Sequence, residues 1–301
     1  MRTSCRAVVG SCFQVAAILF CTGASAQTAT LTLVEGRLGL IRGATLYTAT
    51  QGVRLGNGDI LAIDPKGLAQ VEFADGAILN LAQGARAMLV GAAPGGRGQP
   101  EIAVLSGWVK FTQKKSAKSA PFRVLAPLAE IALGDATTVL NAGGDFTDIY
   151  LESGAARFSE RGRKGTQGAV RDVKGGDFIV RRGEQPASFA PRPSAEFVKN
   201  MPRHFQDNLP ALLEKVKSKR AEPKREHEVA YAEVEAWLKT SLPMRRTFVK
   251  RFEGRSKDPE FRRKLIENLR EHPEWDPVLF PEKYETKDSN GPKGTAPGAR
   301  Q

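Results

Sequence analysis

The chain has 301 residues, which is long enough for more than one domain, and 41% of them are hydrophobic, as in a folded protein. Its formal net charge of +12 is compatible with an anionic wall or lipid surface as a partner, but solvated surface charge is the favoured interpretation, because basic and acidic residues are interleaved after residue 199. All three cysteines lie within the first 21 residues, which excludes a thiol nucleophile or thiolate metal site in the rest of the chain. No nucleic-acid-binding motif is present, and we expect no nucleic-acid partner.

Residues 1–26 have the pattern of a signal peptide. Arg2 and Arg6 precede a short apolar run, and small residues at positions 24 and 26 form a cleavage site that leaves Gln27 as the first mature residue. Cys21 offers a lipoprotein alternative, but Phe20 stands before it where a small residue is expected. The apolar run is too short to span a bilayer. The sequence therefore predicts a periplasmic protein whose mature chain has no transmembrane span.

Residues 28–191 are predicted to be all-β, and residues 52–81 show this most clearly. The sequence from Asp64 to Gly67 is Asp-Pro-Lys-Gly, which has the preferences of a type I turn between two apolar runs. The next turn, at Asp75-Gly76, is predicted to have a three-residue loop over residues 74–76. That register pairs Val71 with Leu79 and leaves one face of the hairpin wholly apolar.

Further short strands are expected along the same region. Residues 102–111 are interpreted as a strand pair divided by Gly107, and residues 130–133, 137–140, 148–151 and 155–158 as separate strands. Residues 159–168 are interpreted as a charged loop, and residues 177–181 as the last strand. Three prolines between residues 186 and 193 are typical of a linker.

Two sequence patterns recur in the β region. The pattern Ser-Gly, two residues, a basic residue and Phe occurs at residues 106–111 and again at 153–158. Gly-Asp followed by an apolar residue occurs at 58–60 and at 176–178. Because two different elements recur, an internal duplication is a hypothesis, beside coincidence among glycine-rich turns.

These motifs resemble a known family. Residues 52–60 (Gly-x-x-Leu-x-x-Gly-Asp-Ile), Asp75-Gly76, residues 105–109 (Leu-Ser-Gly-Trp-Val) and residues 121–127 are similar to the FecR-type periplasmic domain over about residues 33–182. The resemblance implies a FecR-like β-sandwich or roll of short strands without enzymatic activity, found in exported and envelope-signalling proteins. The chain has Gly134-Asp135 where the family has Gly-Thr, and it shows no cytoplasmic segment, so we do not expect the anti-sigma role.

After the prolines, apolar residues recur at helical spacing, and residues 194–285 are predicted to form a helical module. Ser194 is the candidate N-cap of its first helix, and Asp258 followed by Pro259 predicts the start of another. Residues 272–284 are expected to be an extended strap because three prolines interrupt them, with Trp275 anchoring it to the helices. Residues 286–301 are predicted to be a disordered tail.

The sequence favours no catalytic, cofactor or metal site. His204, His227 and His272 lack ligand spacing and are interpreted as surface residues. The aspartates beside glycines are typical of turns rather than of paired catalytic carboxylates. Candidate partner contacts are the aromatic residues of the strap and the densest basic cluster, namely Trp275, Phe280, Tyr284, Arg245, Arg246 and Arg251.

The sequence therefore predicts an exported, non-catalytic envelope protein with a binding or scaffolding role. Its partner would be an envelope protein or an anionic wall or lipid surface. The alternative is an enzyme, or an enzyme accessory, that binds a cell-wall carbohydrate polymer. Trp108 is the tryptophan of the β region, and aromatic residues make up 7% of the chain. Because sugar-binding surfaces are rich in aromatic side chains, this composition disfavours a sugar-binding platform.

Overall fold

The computed structural model describes residues 29–91, 100–114, 121–162, 165–207 and 209–284. The expected signal peptide and the tail lie outside the described residues. The described part is mostly β, with one large sheet, and the helices lie in the C-terminal part of the chain. The strands are β1 (Ala29–Glu35), β2 (Leu38–Arg42), β3 (Thr45–Ala49), β4 (Arg54–Leu55), β5 (Ile60–Ile63), β6 (Leu68–Phe73), β7 (Ile78–Leu81), β8 (Arg86–Leu89), β9 (Glu101–Gln113), β10 (Phe122–Leu125), β11 (Ala129–Ala142), β12 (Phe146–Arg161), β13 (Gln167–Lys174), β14 (Phe178–Arg182), β15 (Ser188–Ala190) and β16 (Lys224–Glu228).

The helices are short. They are α1 (Ala195–Asn200), α2 (Arg203–Gln206), α3 (Leu213–Val216), α4 (Tyr231–Leu238), α5 (Thr247–Phe252), α6 (Pro259–Glu267) and α7 (Asp276–Leu279). Turns of 3₁₀ helix lie at Pro243–Arg246, Glu253–Lys257, Pro273–Trp275 and Pro281–Lys283. The predicted N-caps are confirmed: the Ser194 hydroxyl accepts from the Phe197 N–H at 3.1 Å, and Asp258 Oδ1 accepts from the Phe261 N–H at 2.9 Å.

Three long strands, β9, β11 and β12, organise the sheet by changing partners part-way along their length. The first part of β9 pairs with β8 and β10, and its second part pairs with β7 and β11. The expected strand pair over residues 102–111 is therefore wrong, and so is the division of β11 and β12 into shorter strands. The predicted charged loop is also shorter, because β12 continues to Arg161 and β13 begins at Gln167.

Glycines allow these strands to bend without ending. Gly107 and Gly154 have φ values of 84° and 83°, which other residues rarely adopt. A Cβ at Gly154 would lie 1.9 Å from the carbonyl oxygen of Asp135, and one at Gly107 would lie 2.6 Å from Cα of Ala85. A neighbouring backbone thus fills the space at each bend, which explains why a glycine there continues the strand.

The predicted hairpin register is confirmed. Val71 pairs with Leu79 and Glu72 with Ile78, and the Phe73 N–H donates to the Ala77 carbonyl at 2.9 Å around a loop of residues 74–76. The Gly67 N–H donates to the Asp64 carbonyl at 2.9 Å and closes the predicted turn there.

The two Gly-Asp segments adopt the same geometry. The Asp59 carboxylate accepts from the Gly56 N–H, and the Asp177 carboxylate accepts from the Lys174 N–H, each at 2.9 Å. The glycine before each Asp donates its N–H to the carbonyl of a buried leucine, Leu89 in one case and Leu151 in the other. The duplication stays a prediction, but both copies of the pattern form the same turn.

Three hydrophobic clusters hold the chain together. The largest is formed by inward-facing side chains of most strands, such as Val71, Leu79 and Phe111. The second joins the other face of β2, β5 and β9 to the helices, with Ile41 and Trp237 among its members. The third, smaller cluster packs α1 and α2 on the sheet. The second and third clusters therefore cover parts of the outer face of the sheet, whereas β13 and β16 are mostly exposed.

The C-terminal part differs from the prediction in two ways. Residues 224–228 lie inside the predicted helical module, but they form β16 and pair with β3. Residues 272–284 are not extended, because they form two 3₁₀ turns and α7. Each of these elements has a proline in its first turn, where the missing N–H would have no helical partner, so proline starts a helix there instead of preventing one.

Candidate functional site: a basic cleft beside the C-terminal helices

An open cleft of about 810 Å³ lies where the end of β12 meets the C-terminal helices. Arg161 lines it from the sheet, and Thr240, Arg245 and Arg246 line it from the segment after α4. Glu274, in the 3₁₀ turn before α7, contributes a carboxylate. The wall residues come from parts of the chain that are distant in sequence, and only the packing of the helices on the sheet brings them together.

Arg245 is held rigidly at this cleft. Its Nε and Nη2 atoms donate to the two Glu274 carboxylate oxygens at 2.5 and 2.7 Å, and Nη1 donates to the Thr240 carbonyl at 3.4 Å. Burial raises the pKa of the Glu274 carboxyl, but the hydrogen bonds from Arg245 and from its own backbone outweigh this and keep the pKa below its usual value. Glu274 is therefore ionised at neutral pH, which suits an ion pair better than general acid catalysis.

Arg161 supplies a buried positive charge at the opposite wall. Its side chain is 6% exposed, and Nη1 lies 3.2 Å from Oε2 of Glu130. Glu130 also pairs with Arg123, whose Nη2 is 2.8 Å away, and Arg123 pairs in turn with Glu101 at 3.2 Å. Arg161 therefore belongs to a network in which two carboxylates face two guanidinium groups.

A second open cleft of about 670 Å³ adjoins the first and shares Thr240, Ser241 and Arg245 with it. Arg86, Lys239 and Asp145 add their charges there. Five cationic side chains and two carboxylates of the described residues line the two clefts together. Arg86 and Arg246 are exposed, and within the described part of the chain neither side chain has a hydrogen-bonding or ion-pair partner. Lys239 pairs with Glu235 at 2.7 Å and with Glu271 at 3.7 Å. The combined surface, which we call the basic cleft, therefore owes its excess of positive charge mainly to Arg86 and Arg246.

The residues predicted as partner contacts lie in different environments. Arg245 and Arg246 line the basic cleft, whereas Arg251 donates to backbone carbonyls of the sheet. Trp275 is fully buried in the second cluster, and Phe280 packs partly buried against it. Tyr284 is 55% exposed and donates its hydroxyl to Asp276 at 2.6 Å. The structure thus brings Arg245 and Arg246 together and places the three aromatic residues elsewhere.

Sequence reasoning missed Arg86, Arg161 and Lys239 as members of the cleft. Arg161 lay in the predicted charged loop, where a basic residue is common and does not indicate a binding site. Its near-complete burial identifies it, and burial of a charge depends on tertiary contacts that a local pattern does not record.

The three histidines differ in their exposure, and His204 is half-buried beside Phe205. His227 is exposed, but His272 is fully buried, with Nε2 at 3.1 Å from the Tyr231 hydroxyl, so its interpretation as a surface residue is wrong. Burial lowers the pKa of His272 and raises that of Tyr231. The pair lies among the C-terminal helices, where it joins α4 to the turn after α6.

Metal-binding clusters and membrane-spanning helices are both missing from the described residues. Within the ranges that the structure describes, no His, Cys, Asp and Glu side chains gather as a metal site would require. In the same ranges, no helix has the length and apolar character needed to cross a bilayer.

The fold and the cleft define a mainly β protein whose C-terminal helices pack on the sheet beside a basic cleft. Residues 59–157 match the family model described as FecR protein, so this segment is a FecR domain. It begins at the Asp59 turn and ends within β12, which is narrower than the range of the resemblance. Arg86 and Asp145 of the basic cleft lie inside the matched segment, and Arg161 and the helices lie beyond it.

Solved structures of limited similarity are also found. Two crystal structures of a proposed anti-sigma factor from Parabacteroides distasonis ATCC 8503 align with 13% and 14% identity and a TM-score of 0.37. Each alignment covers 46% of this chain and 62% of the other protein, so the chain spans less than two thirds of these proteins. No curated protein matches the sequence.

Proposed function

We propose that this is an exported, non-catalytic protein of the cell envelope that binds an acidic partner protein through the basic cleft. The observation that carries the proposal is the excess of positive charge on an elongated, open surface between the FecR domain and the helices. Such a surface increases the rate and specificity of association with a negatively charged partner. The FecR domain and the signal-peptide pattern of residues 1–26 support an envelope location.

The further details of the fold are part of the same proposal. The largest hydrophobic cluster contains inward-facing side chains from most strands of the sheet, which supports a sandwich or roll folded around it. A division into a β domain over residues 28–191 and a helical module over 194–285 is tested by limited proteolysis at the proline-rich interval. Because the helices cover Ile41, Ile60 and Leu105, we expect the isolated β fragment to expose these side chains and to aggregate.

The alternative, a wall-polymer enzyme or accessory, has less support. Carbohydrate sites usually present aromatic faces, and the described residues that line the basic cleft include no aromatic side chain. Trp237 and Trp275 are fully buried, and Trp108 packs against Phe197 with ring centroids 4.9 Å apart.

Charge reversal tests the proposed function. The double variant Arg86→Glu and Arg246→Glu changes the two cleft cations that have no described partner, so the fold should be retained. Lys250→Glu, an exposed change on α5, is the matched control. We expect quantitative pull-down from envelope extract to recover the same partner with the wild type and the control but not with the double variant. Equal recovery by all three proteins would refute the cleft as the binding site.

A further inference from the structure

The outer face of β6, β7 and β9 is polar where the chain crosses it between α2 and α3. Gln70, Glu72, Asn80 and Lys110 form this face, and each is at most 5% exposed. Gln70 pairs with Asn80 across β6 and β7, and Asn80 pairs with Lys110 across β7 and β9, so these three form a row. Burying such groups costs free energy unless each is hydrogen-bonded. We call these four residues the polar face.

Three residues of the polar face bind main-chain atoms of one segment, residues 205–213. The Glu72 carboxylate accepts from the Leu212 and Leu213 N–H groups at 2.6 and 3.1 Å. Gln70 donates to the Pro210 carbonyl at 3.0 Å. Lys110 donates to the Phe205 carbonyl at 2.6 Å and pairs with Glu152 at 2.8 Å. Contacts of this kind recognise a polypeptide backbone and require little of its side chains.

The segment itself buries little apolar surface. From residue 206 to residue 215, no described residue is buried, and Pro210 and Ala211 are exposed. The apolar anchors are Phe205, the first residue of the segment, and Phe197 and Met201 before it, all in the third cluster. A stretch held by hydrogen bonds and few apolar contacts opens at a lower free energy than the sheet beneath it.

The polar face also has hydrogen-bond acceptors that the segment does not use. Oε1 of Gln70 and Oδ1 of Asn80 are buried and have no hydrogen-bond partner within the described part of the chain. Buried acceptors without a partner are uncommon in folded proteins. These two oxygens point to a ligand with further N–H donors.

We propose that the polar face is a peptide-binding site, which residues 205–213 occupy in the isolated chain and which accepts a segment of a partner polypeptide in their place, in the helix-start conformation that Leu212 and Leu213 have here. The incoming segment donates two consecutive N–H groups to Glu72 and accepts hydrogen bonds from Gln70 and Lys110 through its carbonyls. The polar face remains compatible with water while it is open, because all four of its side chains can be hydrated. This site is separate from the basic cleft, and its test does not depend on the cleft.

A labelled peptide with the sequence of residues 205–213, added to the full chain, tests the proposal. Phe205→Ala removes an anchor of the internal segment without changing the polar face, so it should bind the peptide at least about tenfold more tightly than the wild type does. Adding Glu72→Gln to this variant should abolish the gain, whereas adding Asp172→Asn, on the exposed strand β13, should not. Failure of Phe205→Ala to bind the peptide, or its conversion to a dimer by exchange of the segment between copies, would overturn the proposal.

Modified peptides separate main-chain from side-chain recognition. N-methylation at the positions of Leu212 and Leu213 should abolish binding to Phe205→Ala, while alanine at the same positions should change affinity by no more than about threefold. The reverse result would show that the site reads leucine side chains and would overturn the proposal.

Hydrogen exchange of the unaltered protein provides a test that does not depend on the folding of any variant. The amides of Leu212 and Leu213 should exchange through local opening, well before those of Leu79 and Phe111 in the sheet. Exchange of all four amides only through global unfolding would show that the segment is a fixed part of the fold.

Discussion

Arg251 donates a hydrogen bond from Nη1 to the carbonyl oxygen of Gly58 over 2.6 Å and thereby joins α5 to the turn before β5. Nε and Nη2 reach the carbonyls of Gly43 and Ile41 at 2.7 and 2.9 Å. Burial lowers the pKa of the guanidinium to about 10, so it is still charged at neutral pH. Three carbonyl dipoles thus stabilise a largely buried cation at the contact between helix and sheet.

Replacement of Arg251 should destabilise the fold. Arg251→Ala removes hydrogen bonds from a charged donor, and we expect a loss of about 3 kcal/mol in the free energy of unfolding, measured by urea denaturation. Arg251→Lys should recover only part of this, because an ammonium group cannot reproduce the planar fork. The exposed neighbour Lys250, changed to Ala, should alter the free energy by less than about 0.5 kcal/mol. Equal stability of the two alanine variants would contradict this role.

Two glycines with similar backbone angles should respond differently to alanine. Gly76 has a φ of 90° and open space where a Cβ would lie, so Gly76→Ala should cost only the conformational strain, about 1–2 kcal/mol. Gly154→Ala adds a collision with the Asp135 carbonyl and should cost more than about 4 kcal/mol or prevent folding. Thermal denaturation compares the two, and similar melting temperatures would mean that β12 can bend elsewhere.

Acidification should destabilise the helical part through His272. Burial lowers the pKa of this residue in the folded protein, so below about pH 6.5 the unfolded chain binds the proton more readily and stability falls as the pH drops. The melting temperature of the wild type should therefore decrease more between about pH 7.5 and pH 5 than that of His272→Gln.

Trp275 should be a major stabilising residue. It is fully buried among helical side chains, and Trp275→Ala should cost about 3–5 kcal/mol in the free energy of unfolding. Tyr284→Ala, at a position that is 55% exposed, should cost less than about 1 kcal/mol. An unchanged melting temperature of Trp275→Ala would mean that residues 272–284 do not pack as the structure shows.

Local signals in the sequence were sufficient for much of the β region. The alternation from Ala69 to Phe73, together with Gly76 in the loop, determines the hairpin register, because a shift by one residue would turn Val71 away from the core. The N-caps at Ser194 and Asp258 could also be predicted from the sequence, because each is a side chain that accepts a hydrogen bond from an N–H group three residues further along the chain. The FecR motifs are likewise turn patterns within short stretches of chain.

Tertiary structure decided the features that depend on distant contacts. Gly107 is compatible with either a turn or a bend, and the neighbouring backbone of Ala85 makes it a bend. Proline is compatible with either an extended strap or the first turn of a helix, and residues 273–275 form a helical turn in which Trp275 is buried in the second cluster. Arg161 reaches the basic cleft only because the helices cover the end of β12.

The polar face shows the difference between the two levels most directly. The sequence by itself determined that Gln70 and Glu72 point away from the core, since side chains alternate along a strand with period two. Only the tertiary structure decided that this face is covered, because Glu72 bonds the N–H of Leu212, 140 residues further along the chain. A hydrogen bond to a main-chain atom does not depend on the identity of the residue that supplies this atom. No local pattern in the sequence therefore predicts such a contact.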